Sequence, residues 1–137
     1  MTTPSDHPET LALRVHMMPK DTNHMGNVFG GAILSLIDQA GFHEALRHGR
    51  HRYVTAAIDA VEFRHPIHVG DVVTVYTRLL QAGRTSMKIA VRVEASRLET
   101  GDVVDVTSAT LTMVAIDAHG TPIPWSSPPT AGQGLST

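Results

Sequence analysis

The sequence predicts an α+β fold in which a five-stranded antiparallel sheet curls around one long central helix. Three observations support this prediction. One strongly apolar segment of helical length follows a Gly-Gly pair near residue 30. One segment before it and four after it have the pattern of strands, and the last four are separated by Gly- or Pro-containing turns. We therefore expect a single domain over residues 1–137, with an ordered core over about 11–124 and a flexible tail over about 125–137.

The first half of the chain predicts a strand and then the helix. Apolar residues alternate with polar ones over residues 11–17, and Pro19 ends that strand. The helix is predicted over residues 31–47, with Gly49 at its C-terminal stop. Its apolar stripe is too wide for a surface helix, so we expect it to be buried nearly all round.

The second half of the chain predicts four strands, at residues 53–63, 72–80, 86–95 and 103–116. The third of these has the cleanest alternation and should present one dry and one wetter face. The last has two similarly apolar faces, which suggests cover on both sides, for example by a partner subunit. Because short turns join the four strands, we expect them to be largely antiparallel neighbours.

Composition excludes several classes of protein. The chain contains no cysteine, which excludes a disulfide framework, a thiolate nucleophile and a Cys-based metal site. A formal net charge of -2, with no long basic run, argues against nucleic-acid binding. No apolar run approaches the roughly 18 residues that span a bilayer, and the first ten residues lack a secretory pattern. We expect a cytoplasmic protein with neither a nucleic-acid nor a membrane partner.

One carboxylate, Asp38, lies in the middle of the predicted apolar helix. Burying an unpaired carboxylate is costly, so Asp38 is a candidate catalytic group. The alternative is a structural acid bonded to Ser35 or to a loop amide. Gly30 and Gly31 precede the helix, where unsatisfied N–H groups favour negative charge and the lack of a Cβ permits close approach. The alternative there is only a tight turn into the helix.

The residues around this helix resemble a known family, the YciA and cytosolic acyl-CoA hydrolase group of hotdog-fold acyl-CoA thioesterases. The resemblance rests first on the run Pro19-x-Asp21-Thr22-Asn23-x-x-Gly26-x-x-Phe29-Gly30-Gly31, followed by Asp38 and Gly41. Two further patterns are similar to those of the family: Phe63-x-x-Pro66-x-x-Val69-Gly70-Asp71 and Gly83-Arg84-Thr85-Ser86-Met87. The resemblance covers about residues 11–124 and is to the single-repeat bacterial type.

The resemblance implies a hotdog fold and an enzyme that hydrolyses acyl-CoA to free acid and coenzyme A without a cofactor. It also implies a homodimer with two sites at the interface, which can associate further into a hexamer, a trimer of dimers. The acidic residue of the family corresponds to Asp38, its loop asparagine to Asn23, and the glycine whose amide faces the thioester oxygen to Gly30. Asp38 would act as a general base on water or as a nucleophile. Asn23 would orient water or the substrate, and its alternative role is to shape the loop.

The spacing of Gly30 and Asp38 predicts a shared site. The two residues are separated by about 12 Å along one helix at 1.5 Å per residue. They are therefore too far apart to contact one small carbonyl group together. We expect each site to combine Gly30 of one subunit with Asp38 of the other.

Further candidates for binding the substrate or coenzyme A are Gly31, Thr55, Arg64, Arg84, Thr85, Ser86 and Lys88. The cationic ones could meet the phosphates of coenzyme A, although a solvated turn is the more common role for any one of them. Candidates for lining the acyl tunnel are Phe42, Ala56, Ala57, Ile58 and Val61. The sequence does not predict the length of the acyl chain.

Two other functions and a metal site are the alternatives to hydrolysis by Asp38. A hotdog hydratase or dehydratase would pair a histidine, such as His24 or His43, with Asp38; His43 is off the helical face of Asp38, which disfavours this function. A non-catalytic acyl-CoA-binding regulatory module is disfavoured by the joint presence of Asp38, Asn23 and Gly30. The histidines at 43, 48, 51, 65 and 68 lack the i,i+4 spacing of a zinc site, so we expect no metal.

Overall fold

A five-stranded antiparallel sheet packs one face against a single long helix. The structure, a computed structural model, describes residues 8–130. Its elements are β1 (Thr10–His16), α1 (Gly30–His48), β2 (Arg52–Phe63), β3 (Val72–Ala82), β4 (Ser86–Ser96) and β5 (Val103–Ile116), with a short 3-10 helix at Pro19–Asp21. The predicted α+β class and the order of the elements are confirmed.

The order of the strands in the sheet is β1-β3-β4-β5-β2. β2 pairs with β5 rather than with β3, so the expectation that the last four strands are successive neighbours is wrong for β2 and β3. The connection over residues 64–71 is long enough to cross the sheet, whereas the β3–β4 and β4–β5 connections are short turns. β1 and β2 therefore form the two edges.

The core lies between the inner face of the sheet and one side of α1. The predicted dry face of β4 is confirmed, since its inward residues are all buried: Met87, Ile89, Val91, Val93 and Ala95. β5 alternates in the same way, with its outer residues only partly covered by this chain. The expectation that α1 is buried nearly all round is wrong for the single chain, because Ser35, Gln39 and His43 are exposed on its far side.

Most of β2 is exposed at the edge of the sheet. Val54, Ile58 and Phe63 are large apolar residues that this chain leaves exposed. The pairing of β2 with β5 has two irregularities of register, and Ala60 within the second adopts a left-handed conformation with φ 51°. Irregularities of this kind twist an edge strand and change which side chains point outward.

The C-terminal segment, residues 122–130, lies against the turn between β3 and β4. Trp125 donates hydrogen bonds from its backbone N–H to the Arg84 carbonyl (3.2 Å) and from Nε1 to the Gly83 carbonyl (2.7 Å). The buried His51 holds the segment through both ring nitrogens, at 2.8 Å from the Trp125 carbonyl and 2.8 Å from Oγ1 of Thr130. The first part of the expected tail thus makes specific contacts; residues 131–137 lie outside the described residues.

Candidate active site

α1 begins at Gly30 without a side-chain cap. The carbonyl of the preceding residue, Phe29, accepts hydrogen bonds from the N–H groups of Ala32 (3.0 Å) and Ile33 (3.4 Å). The N–H groups of Gly30 and Gly31 come before these and have no acceptor among residues 8–130. They are the free donors at the positive end of the helix dipole, which favours a negatively charged oxygen.

These donors adjoin a cavity, which we call the Gly30 cavity, between the start of α1 and the end of β2. Its volume is about 350 Å³, and its lining is mostly apolar: Val28, Gly30, Ile33, Phe63, Arg64, His65, Pro66, Ile67 and Thr107. A Cβ added to Gly30 would lie 3.5 Å from the Phe63 ring, which is an ordinary contact. The cavity leaves room beside Gly30 for a small ligand group.

Asp38 lines a second cavity, the Asp38 cavity, of about 410 Å³. The other lining residues are Gln39, Phe42, His43, Tyr53, Thr55 and Met113. The hydroxyl of Thr55 donates a short hydrogen bond to Oδ1 of Asp38. Ser35, the alternative partner expected from the sequence, instead accepts a hydrogen bond from Gln39 (3.2 Å). The Asp38 side chain is half-buried in this chain and is not part of the core.

Gly30 and Asp38 do not meet within one chain. The Gly30 cavity lies where β2 ends at Phe63, and the Asp38 cavity lies near the start of β2 at Thr55. This placement agrees with the separation expected from their positions along α1. A carbonyl group bound at Gly30 is therefore out of reach of Asp38 of the same chain.

Asn23 shapes the loop before α1. Its Oδ1 accepts hydrogen bonds from the N–H groups of Met25 (2.9 Å) and Asn27 (3.2 Å). Its backbone N–H donates to the Asn27 carbonyl (2.8 Å), which closes the loop. This is the turn-forming role that the sequence left as the alternative, and Asn23 lines neither of the two cavities.

The predicted substrate-binding residues fall in three places. Gly31 follows Gly30 in the first turn of α1, outside the lining of the Gly30 cavity, and Thr55 lies in the Asp38 cavity. Arg64 lines the Gly30 cavity, while its guanidinium contacts Glu62 (3.0 Å) and Ser108 (2.7 Å) on the outer side of the sheet.

The other four candidates, Arg84, Thr85, Ser86 and Lys88, lie in or just after the β3–β4 turn. Backbone carbonyls of this turn bind Trp125 and Ala115, but the Arg84 and Lys88 residues are exposed. Of the acyl-tunnel candidates, Phe42 lines the Asp38 cavity, whereas Ala56, Ala57 and Ile58 are exposed on β2 and Val61 packs against the core.

Glu44 is a second carboxylate of α1, which the sequence pattern did not single out beside Asp38. Glu44 is 2% exposed, and it contacts Thr77 (2.8 Å), Arg47 (3.2 Å) and His48 (2.5 Å). Burial alone would raise the pKa of Glu44, but hydrogen bonds from His48 and Thr77 and the charges of His48 and Arg47 outweigh it and lower that pKa. The i,i+3 and i,i+4 spacing to Arg47 and His48 was the available signal.

Thr107 was also missed. It is fully buried on β5, lines the Gly30 cavity, and its hydroxyl has no hydrogen-bond partner among the described residues. An unsatisfied buried hydroxyl costs about 1–3 kcal/mol. A threonine within an apolar strand carries no sequence signal that distinguishes it from its neighbours.

Two of the described histidines contact other parts of the chain. No group of three or more His, Asp or Glu side chains within residues 8–130 is arranged to hold a metal ion. His51 is bound to the C-terminal segment, and His48 to Glu44. No helix in this part of the chain is long and apolar enough to cross a bilayer.

Comparison with known proteins identifies the family. The model of the thioesterase superfamily matches residues 25–101. An uncharacterised acyl-CoA thioester hydrolase of Zymomonas mobilis is 42% identical over 129 residues, which cover 88% of this chain and 85% of that protein. YciA, an acyl-CoA thioester hydrolase of Escherichia coli, is 36% identical over 115 residues, 82% of this chain and 87% of that protein.

A solved structure agrees with these relatives. The hexameric thioesterase y2039 from Yersinia pestis superposes with a TM-score of 0.82 at 36% identity, over 85% of this chain and 96% of that one. The predicted hotdog fold and the resemblance to the YciA group are confirmed by these matches. The chain belongs to the thioesterase superfamily, among the hotdog-fold relatives of the acyl-CoA thioester hydrolase YciA.

Proposed function

We propose that this protein hydrolyses acyl-CoA thioesters to a carboxylic acid and coenzyme A. The observation that carries the proposal is the Asp38 carboxylate, which borders an open, partly apolar cavity with one oxygen held by Thr55. The relatives at 36–42% identity are named acyl-CoA thioester hydrolases, which supports this reaction over others.

The reaction needs an activated oxygen nucleophile and donors for the developing oxyanion. In one route Asp38 accepts a proton from water, whose oxygen adds to the thioester carbon. In the other, Asp38 attacks that carbon and gives a mixed anhydride, which water then hydrolyses. In both routes the C–S bond breaks, the thiolate of coenzyme A leaves, and the acid is released. The free Gly30 N–H stabilises the oxyanion.

The site is completed by a second copy of the chain. Each chain holds Gly30 and Asp38 in separate cavities, so the proposed pair requires Gly30 of one subunit and Asp38 of its partner. The exposed edge strand β2, with apolar Val54 and Ile58, offers a surface for that partner. The Yersinia pestis relative is hexameric, which supports assembly as a dimer and further as a trimer of dimers.

Substitution of Asp38 tests its role directly. Asp38→Asn keeps the size of the side chain and removes the base or nucleophile, so we expect coenzyme A release to fall about 100-fold or more. The rate is measured as free thiol from a panel of acyl-CoAs of different chain lengths. Asp102→Asn, the same change on an exposed turn, serves as the control. Turnover near that of the wild type would exclude Asp38 from the mechanism.

Subunit complementation tests the shared site. Gly30→Pro removes the N–H at the first helical position, where proline is tolerated, and Gly30→Ala retains it as a control. In a mixed dimer of Gly30→Pro and Asp38→Asn chains, one of the two shared sites has both groups intact. Randomly mixed chains should recover about a quarter of wild-type activity, although each variant alone is inactive. No recovery in verified mixed dimers would contradict the pairing of Gly30 and Asp38 in one shared site.

Hydratase chemistry remains a second candidate because His43 lines the same cavity as Asp38. A histidine and an acid on one cavity could add water across the double bond of an enoyl-CoA. The two activities separate in one assay: hydrolysis yields free coenzyme A, whereas hydration consumes the enoyl absorbance without thiol release. A binding module would do neither.

A further inference from the structure

We propose that Trp125 is a positioning residue that holds the β3–β4 turn, residues 83–85, in the conformation that binds the phosphates of coenzyme A. This inference rests on the proposed function, because a coenzyme A thioester is the substrate that brings phosphates to the protein. The C-terminal segment makes the decisive contact, since Trp125 donates hydrogen bonds to two successive carbonyls of this turn.

The carbonyls of the turn all face the protein. The Gly83 carbonyl accepts from Nε1 of Trp125 (2.7 Å), and the Arg84 carbonyl accepts from its backbone N–H (3.2 Å). The Thr85 carbonyl accepts from the N–H of Ala115 (3.0 Å). In a trans peptide the N–H points away from the C=O, so the N–H groups of Arg84 and Thr85 face outward. Neither has an acceptor among the described residues, and both are therefore available to a ligand.

The side chains around the turn add positive charge. Arg84 and Lys88 are exposed, and residues 81–89 contain no Asp or Glu. Phosphate oxygens accept charge-assisted hydrogen bonds from such cations and also bind backbone N–H groups. Two free N–H donors and two exposed cations at one turn thus suit a phosphate ester.

The turn lies at a suitable distance from the proposed reaction centre. Thr55, which lines the Asp38 cavity, is opposite Met113 of β5, and Met113 is opposite Met87 of β4. Neighbouring strands are about 4.8 Å apart, so Met87 is roughly 10 Å from Thr55. The turn comes just before Met87 in the chain. In coenzyme A the phosphates lie beyond the pantetheine arm, away from the thioester, so a turn at this distance meets the phosphates and not the reacting carbon.

Trp125 can hold the turn because other contacts hold Trp125. Its carbonyl binds Nε2 of His51 (2.8 Å), a residue that is 1% exposed. The N–H of Ile123, two residues earlier, donates to the Ala115 carbonyl (2.9 Å), and the Trp125 side chain packs against the core. A turn that contains glycine is conformationally permissive. Two hydrogen bonds from an anchored residue therefore determine which way the peptides of this turn face.

The test separates the phosphates from the rest of the substrate. Trp125→Phe keeps an aromatic ring and removes the Nε1 donor to Gly83. For an acyl-CoA, KM should rise about fivefold while kcat stays within about twofold. For the same acyl group on pantetheine, which has no phosphate, both constants should equal those of the wild type. The control is Tyr76→Phe, which removes a hydroxyl donor to Glu94 elsewhere on the sheet and should change neither constant with either substrate.

Arg84→Gln provides a comparison at the turn itself. It removes a phosphate contact directly, so it should also raise KM for acyl-CoA alone. Because Trp125→Phe displaces the turn that carries Arg84, the double variant should raise KM by less than the product of the two single effects. A full product would show that Trp125 acts independently of the turn and would overturn the proposal.

Three outcomes with the single variant Trp125→Phe would also overturn it. The first is an unchanged KM for acyl-CoA. The second is an equal rise in KM for acyl-CoA and acyl-pantetheine, which would exclude the phosphates as the affected group. The third is a fall in kcat with both substrates, which would indicate a general structural role.

Calorimetric titration with coenzyme A supplies a readout that does not depend on turnover. Trp125→Phe should bind coenzyme A about fivefold more weakly than the wild type. Equal affinities, or no binding of coenzyme A to the wild type, would overturn the proposal. If the wild type binds coenzyme A but releases none from any acyl-CoA, the proposed function fails, and the titration still decides whether Trp125 positions the turn.

Discussion

Glu44 is an acid that the core accommodates because three side chains replace the water it has lost. Thr77 of β3 and Arg47 of α1 both contact Oε1, and His48 contacts Oε2. Hydrogen bonds to an ionised group contribute more than neutral ones. The pKa of Glu44 is consequently held below its ordinary value of 4.5, in spite of the opposing effect of burial.

This arrangement makes stability depend on pH. Because the folded pKa of Glu44 lies below 4.5, the stabilisation is present above that pH and is lost as the pH falls through the folded pKa. Glu44→Gln should lower the free energy of unfolding by about 2 kcal/mol at pH 7. The difference between variant and wild type should narrow below pH 4.5.

Urea unfolding at a series of pH values measures this difference. Glu99→Gln, which removes an exposed carboxylate in the β4–β5 turn, is the control and should track the wild type throughout. A gap between Glu44→Gln and wild type that stayed constant from pH 7 to pH 3 would contradict the assigned ionisation.

The C-terminal segment is the element whose position depends most on one small residue. A Cβ added to Gly49 would lie 2.3 Å from the Trp125 carbonyl oxygen, a backbone atom that cannot easily move. The φ of Gly49 is −165°, an extended value that any residue adopts. Glycine is therefore needed here for space rather than for its conformational freedom.

Gly49→Ala should displace the C-terminal segment and lower the melting temperature by several degrees, equivalent to about 1–3 kcal/mol. The displacement can be followed separately, because Trp125 is the sole tryptophan of the chain. Its fluorescence should shift to longer wavelength as the ring leaves the β3–β4 turn. Gly31→Ala, where an added Cβ meets nothing within 4 Å, provides the comparison. An unshifted emission spectrum in Gly49→Ala would contradict the docking contact.

At the scale of elements, sequence patterning predicted the features that depend on local periodicity, which are the buried face of a strand and the bounds of the helix. The alternation in β4 identified its buried face residue by residue, and the helix bounds were close to those observed. It did not place β2 beside β5, because a connection of that length permits either neighbour. It also overstated the burial of α1, since an apolar stripe indicates that a helix is covered but not which chain covers it.

The whole molecule leaves a long apolar edge without a partner in this chain. We expect the protein to associate through β2, where Val54 and Ile58 are exposed. Val54→Lys with Ile58→Lys should place charge on that edge and shift the protein toward its 14.8 kDa monomer. Light scattering measures the mass, and the same samples should lose thioesterase activity together with the assembly.

Leu98→Lys is the matched control for this prediction. Leu98 is 71% exposed, on the β4–β5 turn, so a charge there should alter neither the mass nor the activity. If the variant with Val54→Lys and Ile58→Lys were a fully active monomer, that result would contradict both the proposed interface and the shared site.

The candidate site was predictable in part, for physical reasons. The apolar helix with one central acid, and the glycines at its start, could be recognised because each conflicts with an ordinary local pattern. Thr55 was named among the substrate-binding candidates, but its hydrogen bond to Asp38 was not predicted, since a hydrogen bond between residues 17 apart on different elements has no sequence signature. The hydrogen bond from Thr77 to Glu44 could not be predicted for the same reason.

The separation of the Gly30 and Asp38 cavities within each chain has a consequence for how the protein would behave at low abundance. A reaction centre assembled from two molecules exists only while they remain together, so turnover per chain would decline on dilution below the dissociation constant. Bound substrate would reverse the decline by bridging the pair. The amount of the protein in a cell would then set the turnover of each chain as well as the total rate of the reaction.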